Sequence, residues 1–141
     1  MARILAIDYG QKRTGVAVTD PLQMIPQPLA AIPSDQILDF IKGYLSKEPV
    51  ELIVVGLPQP STSQHRNHYQ RVLQWIRQLR ESFPHIPVVT ESEDYTSQQA
   101  AHILRIAGAT RSQRHSKSNI DKVSASLILE RYLQRKNADR S

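Results

Sequence analysis

The stretch ARILAIDYGQKRTGVAVT, residues Ala2–Thr19, decides how the rest of the chain is read. Ala2–Asp8 is a short apolar run that ends in a carboxylate, the pattern of a buried strand. Arg13–Thr19 alternates and is rich in Val and Thr, the pattern of a second strand. Between them Tyr9-Gly10-Gln11-Lys12 is a tight polar turn. Strand, short turn and strand predict an antiparallel hairpin at the head of the fold.

Working outward, Gln27–Ile32 reads as a weaker third strand. Pro26, Pro28 and Pro33 mark it as an edge strand or mark its ends. Ser34 reads as an N-cap for a helix carrying Ile37, Leu38, Ile41, Tyr44 and Leu45 at helical spacing. Glu51–Gly56 (ELIVVG) is a buried strand, and Leu57–Ser63 is a loop with two prolines. Tyr69, Val72, Leu73, Ile76, Leu79 and Phe83 form one apolar face of a long helix. Pro87–Thr90 is a fifth strand. Thr96–Ala107 is a helix closed by Gly108 at C′. Thr110–Ser118 has no apolar residue and reads as a mobile basic loop, after which Asn119 caps a last helix to about Arg135. The order β-β-β-α-β-α-β-α-α predicts an α/β, RNase H-like fold: a mixed five-stranded sheet with helices on both faces. Residues 1–137 are expected to form one domain and 138–141 a short tail.

Bulk properties narrow the function. A chain of 141 residues that is 40% hydrophobic suits one compact domain with a real core. The formal net charge of +5 points toward polyanions, or is simply solubility charge. The absence of cysteine removes disulfides, thiolate zinc sites and cysteine nucleophiles. The first residues lack the pattern of a signal peptide, and no apolar run approaches the roughly 20 residues of a membrane span. A soluble cytoplasmic protein with no membrane partner is expected.

Three groups of acids are candidates for a shared site. Asp8 ends the first strand, either as a turn former or as a metal ligand beside the basic pair Lys12-Arg13. Glu91, Glu93 and Asp94 crowd the end of the fifth strand, where they repel one another unless solvent or a cation screens them. Asp121 lies in the first turn of the last helix, where a carboxylate also stabilises the helix dipole. Asp121, Ala125, Ile128 and Tyr132 fall on one mostly apolar stripe, which turns Asp121 toward the sheet. Hard oxygen ligands select Mg²⁺ or Mn²⁺, as one or two ions, over zinc. Such a centre serves in-line phosphodiester hydrolysis without a covalent enzyme intermediate.

The quoted residues resemble a known family. Asp8-Tyr9-Gly10-Gln11-Lys12-Arg13-Thr14-Gly15-Val16-Ala17, followed by Thr19-Asp20, is similar to the opening signature of the YqgF (RuvX-type) family. That family comprises pre-16S rRNA nucleases, also described as Holliday-junction-resolvase-like. Val54-Val55-Gly56-Leu57-Pro58 resembles its second motif, and Ile120-Asp121-Lys122 with Ser124-Ala125 its last. The resemblance implies an RNase H-like fold, divalent metal dependence and a catalytic, metal-binding set of Asp8, Glu93 and Asp121. The third motif departs from the pattern. Where the family has Asp-Glu-Arg, one residue, then Thr-Thr or Thr-Ser, this chain has Ser92-Glu93-Asp94-Tyr95-Thr96-Ser97. The missing Arg is a planar, permanently charged phosphate contact. Glu91 and Asp94 stand beside Glu93 as alternative middle acids. The loop Gln59–Asn67 also lacks the glycine usual in the family.

Lys12, Arg13, Arg111, Arg114 and Lys117, with His115, are the candidate phosphate contacts. Arg66, Arg71, Arg77 and Arg80 read mainly as the solvent face of the second helix. His65 and His68 read as surface residues, and Trp75 as packing. The expected reaction is endonucleolytic hydrolysis at the 5′ end of pre-16S rRNA in ribosome biogenesis. The alternatives are a junction-resolving DNase and a non-catalytic rRNA-binding assembly module. Expected partners are pre-ribosomal RNA or other structured nucleic acid and the pre-ribosomal subunit, with the chain a monomer or weak homodimer. An actin-like ATPase shares the Asp-x-Gly hairpin but needs two such domains.

Overall fold

The computed structural model describes residues 2–58, 63–92 and 117–140, with the side chains of all but 63–65, 117–121 and 139–140. Five strands form one sheet: β1 (Arg3–Asp8), β2 (Arg13–Thr19), β3 (Pro26–Pro33), β4 (Val50–Leu57) and β5 (Val88–Ser92). Their order is β3-β2-β1-β4-β5. β1 and β2 pair antiparallel with Leu5 opposite Val18 and Asp8 opposite Gly15. β2 and β3 are also antiparallel, whereas β4 runs parallel to both β1 and β5. The mixed sheet expected from the hairpin and the later β-α-β pattern is present. The helix expected at Thr96–Ala107 and residues 110–116 of the expected loop Thr110–Ser118 lie outside the described residues, and Lys117 and Ser118, expected in that loop before a cap at Asn119, are helical.

Three α-helices lie within the described residues: α1 (Ile37–Leu45), α2 (Ser63–Ser82) and α3 (Lys117–Arg140). None is long and apolar enough to cross a membrane. Strand alternation splits the interior into two cores. Leu5, Ile7, Val16, Val18, Ile53 and Val55 pack with Ile37 and Ile41 of α1 and with Val72, Trp75, Ile76 and Leu79 of α2. On the opposite face Ile4, Ala6, Ala17 and Val54 pack with Ala125, Ile128, Leu129 and Leu133 of α3. Ile4, Leu5, Ala6 and Ile7 are therefore all fully buried, as befits a central strand covered on both faces.

Several local expectations shift. One residue of the expected apolar stripe of α2, Leu73, is exposed, whereas Trp75, read as packing, is buried against the sheet. β5 extends to Ser92 because parallel pairing with β4 continues through Gly56↔Glu91 and Leu57↔Ser92. α3 continues to Arg140 rather than ending near Arg135. β3 is an edge strand with a register shift opposite Val16/Ala17, next to the Ala17↔Pro28 pair. That irregularity suits a residue with no N–H to give the ladder.

The end of the sheet away from Asp8 is fastened by the β2–β3 loop. Asp20 accepts backbone hydrogen bonds from Leu22 (3.1 Å), Met24 (2.8 Å) and Ile25 (2.7 Å). Gln23 sits in the left-handed region at φ 59°. Its amide donates to the Ala2 carbonyl at 2.8 Å and accepts from Lys136 Nζ of α3 at 3.0 Å. These tertiary bonds hold a conformation that a non-glycine residue otherwise avoids. The Ile25 N–H, followed by those of Met24 and Leu22, lowers the Asp20 carboxyl from its ordinary 3.8. The loop contacts are thus complete above pH 3.8 and are lost as pH falls through the depressed value. Asp20→Ala, which removes the acceptor, is expected to reduce amide-exchange protection at Met24 and Ile25 at neutral pH. In the unmodified protein the same loss of protection, relative to the intrinsic exchange rate at each pH, should appear only in acid. Unchanged protection in the variant would contradict this role.

Candidate active site at the mouth of the sheet

Asp8 stands where the most buried strand reaches solvent. It follows Ile4 and Ala6 by the two-residue period and so faces the α3 side of the sheet. The hairpin turn beside it is closed by particular contacts. A Cβ at Gly10 would lie 2.3 Å from the Arg13 carbonyl oxygen, so only glycine fits this approach. Ser34 Oγ donates to the Gly10 carbonyl at 2.6 Å, and Thr14 Oγ1 lies 2.9 Å from Ser34 Oγ. The Ser34 N–H donates to the Lys12 carbonyl at 2.9 Å.

Ser34 was expected to cap α1. Instead Ser34–Gln36 forms a 3-10 turn, α1 begins at Ile37, and no side chain caps either segment. The serine hydroxyl is used across the sheet, where it fixes the turn that carries Lys12 and Arg13. Both of those side chains are exposed. Residues 24 apart in sequence carry this bond, and no local signal could have shown it.

Ile7 pairs with Val55, and Gly56 with Glu91. Asp8, Gly56 and Glu91 therefore form one row across β1, β4 and β5. Two strand spacings separate the acids' backbones by about 10 Å, and Gly56 places no side chain between them. Glu91 is already engaged. Its carboxylate lies 2.7 Å from Arg135 Nη2 of α3, with 11% side-chain exposure. The contact is ionic rather than a well-aligned hydrogen bond, because Glu91 Oε2 has no hydrogen-bond partner among the described residues. One helical turn earlier, Arg131 Nη1 donates to the Ser92 carbonyl at 2.8 Å. The two arginines tie α3 to the end of β5, the strand that leads into Glu93.

The other candidates divide by location. Glu93, Asp94, Arg111, Arg114 and His115 lie outside the described residues. The backbones of Lys117 and Asp121 belong to α3, and their side chains lie outside. Three residues after Asp121, Ser124 is fully buried, and its Oγ has no hydrogen-bond partner among the described residues. Oxygen donors at the sheet end, in a chain without cysteine, fit a hard divalent cation better than a soft one.

An antiparallel three-stranded meander continued by two parallel strands, with helices on both faces and an acid ending the central strand, defines an RNase H-like protein. Solved structures with bound Holliday junctions share this fold. Thermus RuvC, solved as "T. thermophilus RuvC in complex with Holliday junction substrate", is 14% identical with a TM-score of 0.55, covering 96% of both chains. The fowlpox virus resolvase, solved with its Holliday junction DNA, is 12% identical with a TM-score of 0.57, covering 95% of this chain and 98% of that one. The family profile described as "RuvX: Holliday junction resolvase" matches residues 2–135, and the chain belongs to that family. A Phocaeicola vulgatus relative is 45% identical over 136 residues, 96% of this chain and 98% of its own length. A Porphyromonas gingivalis relative is 43% identical over 140 residues, 99% of this chain and all of its own. Both bear the name "Putative pre-16S rRNA nuclease".

The turn contacts give a stability test. Gly10→Ala should cost about 1–3 kcal/mol through forced displacement of the turn. Ser34→Ala should cost about 1 kcal/mol per hydrogen bond lost. Denaturant midpoints measure both, and a Gly10→Ala protein as stable as the parent would refute the close approach.

Proposed function

We propose that this chain is a divalent-metal-dependent endonuclease that hydrolyses phosphodiester bonds in the 5′-end processing of pre-16S rRNA, in the cytoplasm. The observation that carries the reading is Asp8. It ends a strand buried on both faces, and the hydrogen-bonded turn that follows it carries two exposed cations, Lys12 and Arg13. The ion would be held by Asp8, Asp121 and Glu93. When bound, it supplies charge stabilisation at the phosphate and a lowered pKa for the attacking water. Lys12 and Arg13 would bind the backbone phosphates, joined by Arg111, Arg114 and Lys117 from the segment before α3 and its start. Such contacts position a substrate without reading its sequence.

The pairing of Glu91 with Arg135 supports Glu93 as the middle acid. A carboxylate that already neutralises a guanidinium makes a poor additional ligand for a cation. The choice of RNA rests on the names of relatives that match nearly the whole chain. The family description favours branched DNA as the second reading.

Purified protein with Mn²⁺ should cleave a pre-16S rRNA fragment in preference to a four-way DNA junction. Asp8→Asn and Asp121→Asn should each lower kcat by about 100-fold or more while keeping RNA affinity. Glu91→Gln should keep most of the activity. Equal cleavage by wild type and the two Asp variants would refute the site. Loss of cleavage in a folded Glu91→Gln protein would move the middle acid to Glu91, and preference for the junction would move the substrate to DNA.

A further inference from the structure

The hairpin turn has a second face that the site above does not use. Tyr9 directly follows Asp8 but belongs to the α2 side, where its ring packs against the core. It stacks on Trp75 with centroids 4.6 Å apart and planes 4° from parallel. Trp75 is 4% exposed, so the pair forms a floor rather than an open platform for a base. Above this floor, Gln11 of the turn and His68, Arg71, Gln74 and Gln78 of α2 line a cleft of about 150 Å³.

Size and chemistry restrict what the cleft can take. Sites for small organic ligands run to about 300–1,000 Å³, so this one suits a single compact group. Its lining holds no acid among the described residues. The guanidinium, three side-chain amides and an imidazole are all able to donate hydrogen bonds. Arg71 Nη1 donates to Gln11 Oε1 at 3.4 Å, a long bond that uses one of the five guanidinium donors and joins α2 to the catalytic turn. A cationic, donor-rich cleft on a rigid aromatic floor suits an anionic oxygen group, and Arg provides the forked geometry that matches phosphate.

Position decides which phosphate. Tyr9 and Asp8 are consecutive but belong to opposite faces of the sheet, so the cleft and the carboxylate flank the same turn from its two sides. A strand with its scissile phosphate at Asp8 that passes around this turn brings a phosphate a few nucleotides away to the α2 side. We infer that the Tyr9–Trp75 cleft is a subsite for a backbone phosphate within a few nucleotides of the cleaved bond, held by Arg71 together with Gln11 and His68. This inference rests on the nuclease reading of Asp8. It gives α2 a substrate-binding role, where the sequence pattern alone makes Arg71 part of a solvent face.

The test uses Arg71→Gln, with Arg77→Gln as the control for loss of one α2 charge outside the cleft. Both side chains are exposed, so neither change disturbs the core. Binding is measured by fluorescence anisotropy across a salt series. The probes are an RNA hairpin with a single-stranded 5′ flank and its DNA counterpart, in the Asp8→Asn background so that nothing is cleaved. Arg71→Gln should weaken binding about tenfold and reduce the log–log salt slope by about 0.7–0.9, equally for RNA and DNA. In otherwise unmodified enzyme it should raise KM and leave kcat unchanged. Arg77→Gln should do neither.

Equal effects of the two arginine variants would overturn the subsite in favour of diffuse charge. A loss confined to RNA would overturn it in favour of a 2′-hydroxyl contact. Unchanged affinity and slope in Arg71→Gln, with cleavage still abolished by Asp8→Asn, would remove the subsite and leave the nuclease standing. Normal cleavage by Asp8→Asn would remove the nuclease reading whatever the binding data show.

Discussion

Strand β1 is hydrogen-bonded to β2 on one side and β4 on the other, and it is covered above and below by separate apolar cores. Everything else in the structure is arranged around that burial. Each Ile or Leu fully removed from water stabilises the fold by about 1.5–3 kcal/mol, so four successive buried residues fix the strand's register and direction strongly. A one-residue slip would exchange the two faces. Asp8 is the point at which this fixed element meets solvent, and its position is as well determined as the core beneath it.

Rigidity is passed from the core to the turn by polar contacts rather than by more apolar packing. Ser34 reaches both the Gly10 and Lys12 carbonyls through its hydroxyl and its amide. The exposed pair Lys12 and Arg13 thereby rides on a closed loop. On the other side of the row, Arg131 and Arg135 attach α3 to β5. The same two contacts restrain the strand end that leads to Glu93 and the helix that carries Asp121. A fold that gathers a site from distant segments needs such cross-ties, because strand pairing alone does not set the height of a helix over a sheet.

The parts of this architecture legible in the sequence are those governed by local periodicity. RILAID and ELIVVG declare buried strands by continuous apolar runs, and Pro26, Pro28 and Pro33 mark the edge strand by missing donors. The acid at the end of β1 and its glycine-containing turn were legible for the same reason, and their family signature spans most of the chain. What escaped is set by distant partners. Ser34 looks like a helix cap until Gly10 is brought to it. Leu73 looks like part of the buried α2 stripe until the sheet meets the helix on the Trp75 side. Glu91 looks like one of three crowded acids, and only the approach of Arg135, 44 positions away, distinguishes it. Tyr9 reads as a turn residue until Trp75 stacks beneath it.

The account depends on Asp8 and Asp121 sharing a divalent ion while Glu91 stays with Arg135. A crystal structure grown with Mn²⁺, read by anomalous scattering at the manganese edge, tests this most directly. A peak within coordination distance of carboxylate oxygens from both aspartates, with the Glu91–Arg135 pair intact, is the predicted result. A peak on Glu91, or fully loaded crystals in which the two aspartates bind no common ion, would contradict it.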